Sequence, residues 1–168
     1  MLCGMIARTG IVALALLALT GCAGLPPQID QRTTLGPTAK QMYIFRIASD
    51  SGRTPTFEET TRWEDQLDVR ISRYLAEHPE VANAPDVSTF RFERRVTVGM
   101  TREQILLLLG PPLAVTSDAA EMEKLARRFW PQLKGNAKEA WVYPLGWRMF
   151  LDAQRAIDIT QYVPRLGD

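Results

Sequence analysis

The sequence predicts an α+β fold, with helices packed on one face of a small antiparallel sheet. Three observations lead there. Two helices are announced by capping boxes, at Thr56 to Glu59 and Thr101 to Gln104. Three short β-prone runs separated by turn residues close the chain, the pattern of an antiparallel meander. The chain has 168 residues, 46% hydrophobic and 23% charged, which is ordinary globular composition for one domain.

Charge and chemistry narrow the function. Twenty Lys and Arg against 19 Asp and Glu give a formal charge of +1, without the basic excess of a nucleic-acid binder. Two cysteines, Cys3 and Cys22, and one histidine, His78, cannot assemble a four-ligand zinc site. No metal and no cofactor is therefore expected. The sequence also contains no G-x-S-x-G, H-E-x-x-H or phosphate-loop motif, which argues against a hydrolase.

Residues 1–21 read as a signal peptide. Arg8 is the only charge before Asp30, and Gly10 to Leu19 is apolar, too short to span a bilayer. Leu19-Thr20-Gly21-Cys22 resembles the bacterial lipobox, which implies cleavage before Cys22 and acylation of its thiol and new amino terminus. Two or more acyl chains hold a protein stably on a membrane. Ala23, in place of the Asp that tends to retain such proteins at the inner membrane, favours the outer membrane. Residues 22–40, with Gly24, Pro26, Pro27, Gly36 and Pro37, read as a flexible tether. A single α+β domain is expected over 41–168.

Within that domain, Met42 to Ile47 is short, apolar and β-prone, and is read as a strand. Trp63, Leu67, Ile71, Tyr74 and Leu75 then form the apolar stripe of a helix over 56–78, stopped by Pro79. His78 falls at its C-terminus, a favourable place for positive charge and a poor one for catalysis without a partner. Pro85 to Val98 reads as a strand, with Phe90, Phe92, Val96 and Val98 alternating. Arg91, Arg94, Arg95 and Arg102 form a local basic cluster, read as a solvated face with contact to headgroups or an acidic partner as the alternative.

In the next helix Met100 and Ile105 stand as a hydrophobic staple around the Thr101 cap, and Ile105 to Leu109 is apolar on nearly all sides. Gly99 suits a tight turn into the helix. Gly110 suits a left-handed C-terminal residue, and Pro111 and Pro112 prevent continuation. Asp118 opens a helix carrying Met122, Leu125, Ala126 and Phe129, ending near Trp130-Pro131 (118–130). Strands follow at 139–143, 147–151 and 156–160. Trp141, Tyr143, Trp147, Met149 and Leu151 are assigned to the sheet core, with Trp147, Arg94 and Arg95 as candidate partner contacts.

The string Val98-Gly99-Met100-Thr101-Arg102-Glu103-Gln104, then Leu109-Gly110-Pro111-Pro112 and Trp141-Val142-Tyr143, resembles the SmpA/OmlA (BamE-like) family of outer-membrane lipoproteins over residues 96–159. The resemblance implies a two-layer, β-lactamase-inhibitor-like core over 96–160. Gly99, Met100, Thr101, Gln104, Gly110 and Pro111 would be its fold-defining positions. It also implies a lipid-anchored, periplasm-facing adaptor without catalysis, bound to an envelope protein complex such as the outer-membrane protein assembly machinery. The helix 56–78 and the insertion 118–138 depart from that pattern. A lipoprotein of the same fold that binds phospholipid, peptidoglycan or an inhibited enzyme is the alternative.

Overall fold

The computed structural model describes residues 28–164; the expected signal peptide, Cys22 and residues 165–168 lie outside them. Five antiparallel strands form the main sheet in the order β1-β7-β6-β5-β4: β1 Ile29–Thr33, β7 Ala156–Val163, β6 Trp147–Leu151, β5 Glu139–Val142 and β4 Ala114–Thr116. A second ladder pairs β2 Leu35–Thr38 with β3 Arg95–Thr97. The expected meander is present as β5-β6-β7. Its edges, β1 and β4, were not foreseen.

The tether assignment is corrected from residue 29 onward. Ile29 pairs with Val163 and Thr33 with Ile159, so this segment is an edge strand of the domain. Gly36 and Pro37, read as linker residues, are buried. A Cβ on Gly36 would stand 3.4 Å from both Val96 and Ile159, so the small residue serves close packing. Pro37 lacks an amide proton and sits where the β2–β3 register shifts, a place that tolerates the missing donor.

The expected strand at Met42 to Ile47 is also corrected: it lies inside helix α1, Ala39–Ser51. A third capping box drives this, because Thr38 Oγ1 accepts from the Gln41 amide and Gln41 Oε1 accepts from the Thr38 amide. Gly52, at φ +70°, closes the helix. Helix α2, Phe57–Glu77, matches expectation, with its Thr56–Glu59 box, its cap at His78, and Leu67, Ile71, Tyr74 and Leu75 buried. Trp63 stacks on Tyr43 of α1 with centroids 4.5 Å apart.

After the single turn α3, Pro79–Ala82, the expected strand from Pro85 shrinks to β3. Thr89–Glu93 is one π-helical turn, ended by Arg94 at φ +49°. A strand would have turned Phe90 and Phe92 to the same side. Instead Phe90 is buried edge-on against Tyr74, at 5.6 Å, and Phe92 is exposed.

Helix α4, Arg102–Leu109, forms as read, except that Leu106 is exposed rather than buried. The helix from Asp118 stops earlier than expected. Helix α5 is Ala119–Ala126, a 3-10 turn follows from Arg127 to Phe129, and α6 is Trp130–Leu133. Pro131 thus begins a helix instead of ending one, since its absent donor costs nothing in a first turn.

The fold is α+β, as expected, but helices cover both faces of the main sheet where one face was expected. Trp141, Met149 and Ile159 align across the sheet and join the core under α1, α2 and α4. Ala140 and Phe150 point the other way, into a second cluster with Met122, Ala126, Trp130 and Leu133 of α5 and α6. Consecutive apolar residues, as in Ala140-Trp141 and Met149-Phe150-Leu151, are what a strand buried on both faces requires. No helix among the described residues is long and apolar enough to cross a membrane.

Candidate interaction surface

The α4 motif residues come together as one structural unit. Gly99 takes φ +96°, its amide donates to the Ala156 carbonyl at 2.7 Å, and the Met100 carbonyl accepts from the Ala156 amide at 2.8 Å. This locks the start of α4 to the start of β7. Thr101 Oγ1 accepts from the Gln104 amide at 3.2 Å, and Gln104 Oε1 accepts from the Thr101 amide at 2.8 Å. Met100 and Ile105, the staple pair, are both fully buried.

The far end of α4 is closed by side chains from two other elements. Arg46 of α1 donates Nη2 to the carbonyls of Leu109 and Pro111, at 2.8 and 2.6 Å. Tyr143, directly after β5, donates its hydroxyl to the Gly110 carbonyl at 2.9 Å. The last helix carbonyl and the two that follow it are thereby satisfied. Burial pushes the Tyr143 phenol well above its ordinary range, so it remains a donor at any physiological pH. Gly110 has φ +70° but ψ −168°, so it is extended on its second dihedral rather than left-handed helical.

Arg46 was missed in the sequence because nothing local marks an arginine on α1 as the cap of a distant helix.

The candidate partner contacts are redistributed. Trp147 is buried in the main core at 8% exposure and is withdrawn as a surface residue. Arg94 pairs with Asp68 of α2 at 2.7 Å, and Arg102 pairs with Glu139 while lying over the Trp141 ring. Arg91 lies over Phe92, and Arg95 is half-buried on β3. The four arginines are thus divided among separate neighbours. His78 stacks on Tyr74 at 4.2 Å, with Nδ1 3.1 Å from Glu80 Oε1 and Nε2 3.8 Å from Glu103 Oε2. Among the described residues no group of three or more His, Cys, Asp or Glu is placed to hold a metal ion.

What the surface offers instead is apolar. Leu106 on α4, Leu113 before β4 and Val115 on β4 are 41%, 68% and 54% exposed. They lie within one stretch around the α4–β4 turn, and β4 is the outer strand of the sheet there. An edge strand with apolar neighbours can take up an additional strand or a flat apolar partner. The sequence pattern assigns no element to residues 113–117, and the strand there exists through its pairing with β5. Comparison of the chain with protein-family models, curated proteins and solved structures finds no match.

Proposed function

We propose that the protein is a bacterial envelope lipoprotein, acylated on Cys22, that binds a protein partner at the membrane surface and performs no catalysis. The observation that carries this reading is the Leu19-Thr20-Gly21-Cys22 string, set only six residues before Gln28 and the first strand. Acyl chains at that point hold the folded domain against the bilayer, and confinement there raises its effective concentration for neighbouring membrane proteins. Ala23 directs it to the outer membrane, facing the periplasm. The partner is an envelope protein complex, with the outer-membrane protein assembly machinery as the place suggested by the SmpA/OmlA resemblance.

The roles of the motif residues support a binding module. Thr101 and Gln104 are occupied in capping, Gly99 and Gly110 in turns, and Tyr143 and Arg46 in closing α4. The apolar edge at Leu106, Leu113 and Val115 is left for a partner. The test is labelling with radioactive palmitate, followed by capture from detergent-solubilised membranes and mass spectrometry. Label in the wild type and none in Cys22→Ala, with recovery of a defined membrane complex, is expected. Equal labelling of both proteins overturns the anchor.

A further inference from the structure

The end of the sheet where the chain enters carries an arginine cluster that no sequence motif announced. Asp30 on β1 pairs with Tyr162 on β7, and the side chain of Gln28 donates to the Tyr162 hydroxyl at 3.3 Å. Arg127 and Arg128 approach Asp30 Oδ2 at 3.7 and 3.5 Å, through exposed side chains. The Arg127 guanidinium lies 3.8 Å from the Tyr162 ring centroid and that of Arg148 5.8 Å from the same ring. Arg148 forms no ion pair among the described residues and donates to the Gly146 carbonyl, with its Nε buried and unpartnered. Three guanidiniums therefore gather at this end, and among the described residues Asp30 is the one carboxylate there, paired with Arg127 and Arg128 and not with Arg148.

Two further features mark this end. Arg127 and Leu145 hold φ of +56° and +58°, and non-glycine residues in that region are strained. Such strain concentrates where a side chain must be aimed at a particular place. Leu145 stands 43% exposed on the β5–β6 turn, whose Gly146 carbonyl accepts from the Tyr162 amide. An apolar tip beside a basic cluster suits the boundary between headgroups and acyl chains.

From these observations we propose that Arg127, Arg128 and Arg148, with Leu145 at their edge, form the face that rests on an anionic phospholipid surface. The inference rests on Cys22 being the anchor, because chain length then decides the orientation. Six residues from Cys22 to Gln28 reach about 20 Å at full extension, less than the length of a small domain. The end holding Gln28 and Tyr162 is thus kept at the bilayer, where the exposed guanidiniums of Arg127 and Arg128 donate to the headgroup phosphates and half-buried Arg148 adds positive charge behind them. The anchor supplies attachment, and the arginines set which way the domain faces. The apolar edge at Leu113 and Val115 lies on β4, at the opposite side of the sheet from β1.

The test uses the chain from residue 22 onward with Cys22→Ser, which contains every described element and lacks both acyl chains and signal peptide. It is sedimented with vesicles of phosphatidylglycerol and phosphatidylethanolamine, and with vesicles of phosphatidylcholine alone. Binding to the anionic vesicles only, weakened by salt, is expected. Arg127→Gln/Arg128→Gln should lower the partition coefficient about fivefold for each charge removed while the circular dichroism stays unchanged. Equal binding to both vesicles, no binding to either, or unchanged partition of the folded double variant overturns the proposal. So does binding abolished by millimolar inorganic phosphate at constant ionic strength, which would make this a site for free phosphate. The mass of Cys22 in protein isolated from membranes judges the anchor separately. An unmodified thiol there refutes the lipoprotein reading whatever the vesicles show.

Discussion

The Tyr143 hydroxyl donates to the Gly110 carbonyl at 2.9 Å, joining the two halves of the motif, the L-G-P-P turn and the W-V-Y strand, which are 33 residues apart in sequence. Gly110 also lies against Arg46, whose Nη1 would be 3.2 Å from a Cβ at that position. The turn after α4 is thus held from β5 on one side and from α1 on the other, and each contact can be removed separately.

Tyr143→Phe leaves the ring in the core and the Gly110 carbonyl without its donor. A loss of about 1–3 kcal/mol is expected, read as a lower urea midpoint at unchanged slope. Gly110→Ala should cost about 1 kcal/mol or more, because it adds positive-φ strain to the displacement of Arg46. Wild-type midpoints for both variants would remove this turn from the stabilising structure.

Capping of α1 and α4 gives a paired comparison. Thr38→Ala and Thr101→Ala should each cost about 0.5–2 kcal/mol. Thr38→Ala additionally separates the observed helix from the strand that Met42 to Ile47 resembles in isolation. Protection of the amides of residues 42–47 against hydrogen exchange should fall in Thr38→Ala and stay unchanged in Thr101→Ala.

Gly146 admits no side chain. It has φ +75°, and a Cβ there would sit 1.9 Å from the carbonyl oxygen of Tyr162. Because backbone on the neighbouring strand cannot yield as a flexible side chain does, Gly146→Ala should separate the β5–β6 turn from β7. Loss of cooperative thermal unfolding is expected, whereas a wild-type melting curve would contradict the register Trp147 to Gln161.

The N-terminus of α2 should respond to acid. Arg53, bonded to Glu59, together with the Thr56 amide holds the Glu59 carboxyl down at about 2. Because this value lies below that of the unfolded chain, the contribution is complete above about pH 4.5 and is lost as pH falls through 2. Carbon-13 titration of Glu59 should show the low midpoint, and Arg53→Met should move it up towards the ordinary carboxylate range. A wild-type midpoint already near 4.5 would show that Arg53 does not hold it.

Partner capture should depend on the apolar edge. Leu113→Lys/Val115→Lys replaces exposed side chains, so stability should change by about 0.5 kcal/mol or less. Recovery of the membrane partner should nevertheless fall at least tenfold. Full recovery with the charged pair would place the contact elsewhere, and His78→Ala should leave recovery intact.

The sequence by itself determined whatever is decided within one turn of chain. The capping boxes at Thr56 and Thr101, the positive φ at Gly99 and Gly110, the stop at His78 and the meander β5-β6-β7 all rest on neighbours a few residues away. Tertiary structure decided what depends on distant partners. Met42 to Ile47 became helix because Thr38 capped it and Ala39 and Met42 found the core. Residues 29–33 became a strand because β7 offered an edge, since composition marks Gly and Pro without saying whether they bend a linker or permit close packing. Trp147 is buried, as its assignment to the sheet core predicts, which removes it as a partner contact, and Phe92 is exposed because the alternation over 85–98 becomes a π-helical turn. The arginines were legible only as charges. The gathering of Arg127, Arg128 and Arg148 around Asp30 and Tyr162 required β1, β6, β7 and the α5–α6 insertion to meet at one end of the sheet, a juxtaposition set by folding across more than 90 residues of chain.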